Sequence, residues 1–249
     1  MSVSVSAVGR LLVVAMERPE KRNAIDHEMT RELDAAFNRL EDDPELWAGV
    51  LTGTASVFSA GTDLRSGGHL VTERGGEYGL IRRRRAKPVV AAVEGPAYGG
   101  GLEIVLACDM VVAGRTATFG LPEVKRGLVA NCGALFRLPR VVPLNVAREL
   151  AATGEPIDAS RAYQLGLVNL VVEPGSARPA ACAMAEGICA NGPLAVRASL
   201  AAMNSVAEAD DEAGWAATDQ AVAAIAGSAD RQEGIDAFLE KRRPAWRGC

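Results

Sequence analysis

Two glutamates and two glycine-rich turns stand out in this sequence of 249 residues as groups able to do chemistry. Glu103 closes the run Gly95-Pro96-Ala97-Tyr98-Gly99-Gly100-Gly101-Leu102-Glu103, and Glu123 lies in Phe119-Gly120-Leu121-Pro122-Glu123-Val124-Lys125-Arg126-Gly127. The other turn is Val57-Phe58-Ser59-Ala60-Gly61-Thr62-Asp63-Leu64. Both turns follow an apolar segment and lead into an expected helix start, near Leu64 and at Leu102, which leaves backbone N–H groups without intrahelical partners. Three consecutive glycines let a ligand approach the main chain closely. Amides from two loops aimed at one carbonyl oxygen would stabilise the negative charge that develops there. Two carboxyl groups nearby could take a proton from water and give one to carbon, as addition of water across a conjugated double bond requires. Burial and mutual repulsion would keep such a pair from ionising together.

Each feature has a plainer reading. A glutamate in the first turn of a helix is ordinarily a dipole partner, a Pro-Glu pair is ordinarily a turn, and glycines often only shape the chain. The combination is what points to acid/base work. A nucleotide reading fits poorly, because the spacing is G-x-x-x-G-G-G and neither G-x-G-x-x-G, G-x-x-x-x-G-K-[ST] nor G-x-S-x-G occurs. With only His27 and His69 available, metal chemistry and Ser-His or Cys-His nucleophilic catalysis have few candidates. The five cysteines (Cys108, Cys132, Cys182, Cys189, Cys249) are dispersed without a C-x-x-C pair, so neither a disulfide framework nor a zinc site is suggested and a reducing cytoplasm is expected.

The elements that must position these groups alternate. Val3, Val5 and Ala7, then the apolar run Leu11 to Met16, read as a hairpin around Gly9-Arg10. Met29, Leu33, Ala36, Phe37 and Leu40 keep helical spacing behind an Asp26 N-cap. Strand-like runs recur at 49–52, 89–93, 110–112 and 167–172, with helices and glycine turns between most of them, which indicates an α/β architecture. Beyond Pro193 the pattern becomes helical, over 193–207, 211–226 and 228–241, and a soft boundary is placed near 190. A hydrophobic content of 49% suffices for one large core, and a net charge of −4 gives no reason to expect nucleic acid or an anionic membrane as partner. Leu11 to Met16 is far shorter than the ~20 residues of a bilayer span. A small-molecule partner is expected instead.

Phe58-Ser59-Ala60-Gly61-Thr62-Asp63-Leu64, Gly99-Gly100-Gly101-Leu102-Glu103 and Phe119-Gly120-Leu121-Pro122-Glu123 together resemble, in order and spacing, the successive signatures of the enoyl-CoA hydratase/isomerase (crotonase) family. Arg18-Pro19-Glu20-Lys21-Arg22-Asn23-Ala24 is similar to that family's early CoA-contacting stretch, and Phe238-Leu239-Glu240-Lys241-Arg242-Arg243-Pro244 to its C-terminal helix, so the resemblance covers nearly the whole chain. It implies a crotonase-like (ClpP/crotonase) spiral of ββα units over residues 1–190. Residues 191–249 would then form a helical trimerisation region, in trimers commonly stacked as hexamers. It also implies that the N–H groups of Thr62 and Gly100 form the oxyanion hole, with the Thr62 side chain of little account. Lys21, Arg22, Ala24, Ala60, Asp63 and Leu64 would lie near CoA, which is part of the substrate, with no permanently bound cofactor and no metal. Glu103 and Glu123 match the family's two hydratase acids and favour hydration of an acyl-CoA thioester over isomerisation, another enolate reaction or simple binding. By the same analogy Phe238 and Lys241 could complete a neighbouring CoA site, beside their plainer roles as helix core and helix surface.

Four local features remain. Gly127-Leu128-Val129-Ala130-Asn131-Cys132-Gly133 departs from the family's usual stretch, with Ala130 and Asn131 where Pro and Gly are common. Arg82-Arg83-Arg84-Arg85 reads as a solvated face more readily than as a phosphate contact. Asp109 reads as a structural partner for a loop. The loop 65–80 is expected to shape the acyl pocket.

Overall fold

Strand β1 (Val3–Val8) and strand β2 (Leu11–Met16) pair antiparallel across Gly9, whose positive φ of 58° suits the tight turn. Helix α1 (His27–Asp42) begins where Asp26 Oδ1 accepts the Met29 N–H at 2.9 Å, and it buries the five apolar residues at helical spacing. Strand β3 (Ala48–Thr52) is entirely buried, and a small ribbon of β4 (Val71–Thr72) and β5 (Gly76–Glu77) follows. The buried strand β6 (Val89–Val93), strand β7 (Pro96–Tyr98) and helix α2 (Gly100–Ala107) then form one ββα unit. Strands β8 (Met110–Gly114) and β9 (Thr118–Gly120) begin the next, followed by α3 (Ala134–Val141) and α4 (Leu144–Thr153). The chain continues through β10 (Ile157–Asp158), α5 (Ala159–Gln164), β11 (Leu170–Val172) and α6 (Ala177–Cys189). It ends in α7 (Pro193–Ala207), α8 (Asp211–Ile225) and α9 (Ala229–Glu240). This is a computed structural model describing residues 2–67 and 70–247, so His69 and Cys249, and part of the 65–80 loop, lie outside the described residues.

Six strands form the main sheet in the order β1-β2-β3-β6-β8-β11, parallel from β2 onward, and β10-β9-β7 form a second sheet. Each ββα unit thus contributes one strand to each layer. Apolar residues on both faces of β3 and β6 answer to this burial, because a parallel sheet is covered on both sides. One face meets α1 and the second sheet, and the other meets Ala177, Ala181 and Ala185 of α6.

Two expectations need correction. No helix starts at Leu64: residues 64–66 form a turn, in which Asp63 accepts the Arg65 N–H at 3.1 Å and its carbonyl the Ser66 N–H at 2.9 Å. A short polar side chain competing for the local amides diverts the chain from a helix. The four arginines form a solvated face only in part, at the exposed Arg82 and Arg84. Arg83 is buried against Asp34 (2.5 Å) and Asn38 (2.7 Å), Arg85 against Asp109 (2.5 Å), and Arg82 lies 3.6 Å from the Trp215 ring centre. Burial of Arg83 and Arg85 is tolerable because each of these guanidinium groups finds a carboxylate.

Asp109 also accepts the Val89 N–H at 2.7 Å, so one carboxylate anchors both the arginine segment and the start of β6. Replacing Asp109 with Ala leaves the Arg85 cation buried and unpaired, with an expected loss of ~3 kcal/mol, read as a lowered denaturant midpoint.

Candidate active site

The two glycine turns meet at van der Waals distance. A Cβ on Gly61, whose φ is 91°, would lie 2.9 Å from the Tyr98 carbonyl oxygen and 3.0 Å from the Gly100 nitrogen. Only a residue without a side chain permits this approach. On the first turn the Gly61 carbonyl accepts the Ile25 N–H and the Asp63 N–H donates to the Ile25 carbonyl, which leaves the Thr62 N–H facing the other way. On the second, Gly100 opens α2, and its N–H precedes the first intrahelical bond. Neither the Thr62 nor the Gly100 N–H has a protein acceptor among the described residues.

Glu103 lies one turn into α2 and is 1% exposed. Its Oε1 accepts the N–H groups of Cys132 (2.7 Å), in the stretch that departs from the family pattern, and of Ala134 (3.1 Å), which opens α3 just after it. Glu123 sits in a short 3-10 helix, Pro122–Arg126, and its Oε1 lies 2.8 Å from where a Gly99 Cβ would be. Its Oε2 is buried with no partner among the described residues. Desolvation, with the repulsion of Glu123 second, raises Glu103 from an ordinary 4.5 to about 8, against the two N–H groups that favour its ionised form. Desolvation raises Glu123 to about 7, against a backbone hydrogen bond and Arg126. The repulsion is mutual, so these values belong to the pair.

The early stretch is pinned beside the first turn. Asn23 is fully buried, accepts the Arg18 N–H at 2.8 Å and donates to the carbonyls of Val57 (3.2 Å) and Phe58 (3.0 Å). Arg18 reaches the Ala24 carbonyl at 2.8 Å and Asp63 at 3.0 Å. Lys21, Arg22 and Ala60 are exposed on this rim, Ala24 and Leu64 are half-buried, and the Ala60 N–H donates to the Arg22 carbonyl. The Asp63 carboxylate faces inward to Arg18 and Arg65, which is a structural engagement.

A sequence profile of the enoyl-CoA hydratase/isomerase family matches residues 7–249. The chain belongs to that family. It is 40% identical over 247 residues to the mevalonyl-coenzyme A hydratase sidH of Aspergillus fumigatus, covering 95% of this chain and 91% of that protein. It is 38% identical over 246 residues to the enoyl-CoA hydratase EchA19 of Mycobacterium tuberculosis, covering 95% and 92%. A crystal structure of a carnitinyl-CoA hydratase from Mycobacterium avium superposes with a TM-score of 0.94 at 39% identity, covering 100% of this chain and 99% of that one. The fold is therefore the crotonase fold.

Sequence reasoning within the family missed several residues of this site. Asn23 carries no chemical signal beyond its place in the early stretch, and Cys132 acts through its backbone N–H, which no side-chain pattern reveals. Tyr78 stands in a glycine-rich loop that looks unremarkable in sequence, yet its hydroxyl lies 2.7 Å from Thr62 Oγ1. Among the described residues no cluster of three or more His, Cys, Asp or Glu could hold a metal ion, and no helix is long and apolar enough to cross a membrane.

The raised pKa values carry a stability signature. The folded state binds protons more tightly than the unfolded chain from pH 4.5 upward, so stability present below 4.5 is lost as pH rises through about 7 and about 8. Glu103→Gln retains an acceptor for Cys132 and Ala134 without the buried charge. Its melting temperature is expected to match the wild type near pH ~4 and to exceed it increasingly towards pH ~9; thermal scans across that range provide the check.

Proposed function

We propose that this chain is an enoyl-CoA hydratase that adds water across the double bond of a trans-enoyl-CoA thioester. The observation that carries the reading is the convergence of two proton-retaining carboxyl groups, Glu103 buried and Glu123 half-buried with one oxygen shut off from water, on a turn pair with two unengaged amides. The relatives named above are hydratases, which supports the same reaction. The thioester oxygen sits between the N–H groups of Thr62 and Gly100. One carboxylate takes a proton from water as the water oxygen bonds to the β-carbon; the π electrons move onto the thioester oxygen as an enolate; the other carboxyl then gives its proton to the α-carbon. At neutral pH a pair titrating near 7 and 8 supplies one ionised and one protonated member, the state this cycle needs.

Lys21 and Arg22 supply cations on the rim for the phosphates of CoA, while the backbone of 60–64 and Ala24 line the approach. No metal and no resident cofactor is needed for these steps. Helix α7 leaves Leu194, Met203 and Val206 largely exposed and buries none of its described side chains, apolar surface suited to packing against other subunits of a trimer or hexamer. Sedimentation at micromolar concentration is expected to give a trimer or its double, and a monomer would remove this assignment.

Purified protein mixed with crotonyl-CoA and its longer homologues is expected to bleach the enoyl-thioester absorbance and give a product one water heavier. Glu103→Gln and Glu123→Gln should each lower kcat by ~10²–10⁴. Substrate binding without hydration at any chain length would sink the reading.

A further inference from the structure

Tyr78 is 2% exposed and is held in the left-handed region at φ 55°, which a bulky side chain occupies only when its surroundings impose it. The surroundings are explicit. Its N–H donates to the Leu70 carbonyl at 2.8 Å, and the next residue, Gly79, presses on α1 so closely that a Cβ would lie 2.6 Å from the Asp34 nitrogen. The ring is thereby driven to the junction of the two turns. Its hydroxyl meets Thr62 Oγ1 at 2.7 Å, and a Cβ on Gly100 would lie 2.5 Å from the same hydroxyl and 2.8 Å from the ring carbon that bears it. A phenylalanine would fill the same space; the hydroxyl adds polar links to Thr62, which offers an N–H to the thioester, and to the Cys132 thiol, and it is seated on Gly100, which offers the other N–H. Burial first, then the neighbouring Cys132 and Glu103, push the phenol pKa well above 10, so it stays protonated.

We infer that Tyr78 is a positioning residue for the oxyanion hole: its hydroxyl fixes the Thr62 turn against the start of α2, so that the two N–H groups converge on one oxygen. This gives the Thr62 side chain a role beyond that of its amide. The inference rests on the proposed use of those amides, and it is tested by a readout that does not require hydration.

Polarisation of a conjugated thioester carbonyl shifts its absorbance to longer wavelength, so bound sorbyl-CoA reports the strength of the hole directly. Wild type, Tyr78→Phe, Thr62→Val and the double variant are compared for this red shift, for kcat and KM with crotonyl-CoA, and for melting temperature. Tyr78→Phe is expected to diminish the red shift and to lower kcat about tenfold with KM little changed, because the lost interaction serves the charged transition state. Thr62→Val should reproduce both effects, and the double variant should be no worse than either single one, as for two halves of one contact. An undiminished red shift with kcat within about twofold of wild type, or losses that add in the double variant, would overturn the inference. If Tyr78→Phe does not fold, Thr62→Val alone decides by the same criteria. A wild type that red-shifts sorbyl-CoA but hydrates no enoyl-CoA removes the hydratase reading and leaves the Tyr78 comparison standing. A wild type that binds sorbyl-CoA with no shift overturns the inference itself.

Discussion

A carboxyl group cannot be taken out of water as an anion unless something replaces its hydration, and this structure places two of them in the same apolar interior. Glu103 receives two backbone N–H groups, which moderate its preference for the neutral form without abolishing it. Glu123 keeps one buried oxygen without a protein partner among the described residues. The surrounding architecture serves this arrangement. The parallel sheet supplies dry walls, the glycines bring backbone into contact where side chains would obstruct it, and Arg126 offsets only part of the desolvation that raises Glu123. Arg83 and Arg85 are tied to Asp34 and Asp109, on the far side of their own loop.

Secondary structure was legible wherever the apolar period was long and undivided. Helix α1 buries the residues that its 3.6-residue spacing singles out, and β6 is a continuous apolar run because both its faces are covered. Legibility failed where a single local contact decides the path. A helix start at Leu64 is a fair reading of small residues after a strand, but Asp63 binds the following amides and makes a turn. Four consecutive arginines look solvated in sequence, since their partners are remote: Asp34 lies 49 residues from Arg83, and Asp109 lies 24 from Arg85.

The site divides along the same line. Glu103, Glu123, Thr62 and Gly100 stand in motifs with regular spacing, and the fold brings them to one place. The groups that hold them act through backbone or through tertiary position, as with the Cys132 and Ala134 amides, the buried Asn23 amide and the Tyr78 hydroxyl. Ala130 and Asn131, the departure from the family pattern, adjoin the segment that carries those amides, so the deviation falls on the support of Glu103 and not on an idle loop.

That segment is itself clamped from behind by the end of the chain. Phe136 packs edge-on against Trp215 at 5.1 Å between ring centres, Asp211 pairs with Arg140, and Gly127 fits so closely under α9 that a Cβ would lie 2.5 Å from the Asp230 carbonyl oxygen. On a ribosome the acids therefore emerge more than a hundred residues before their support is complete. During that interval the segment that presents the Cys132 and Ala134 amides to Glu103 lacks the packing of residues 211–238 that holds it in place. Helices α8 and α9, far along the chain from the acids, thus belong to the support of Glu103 as much as the residues that touch it.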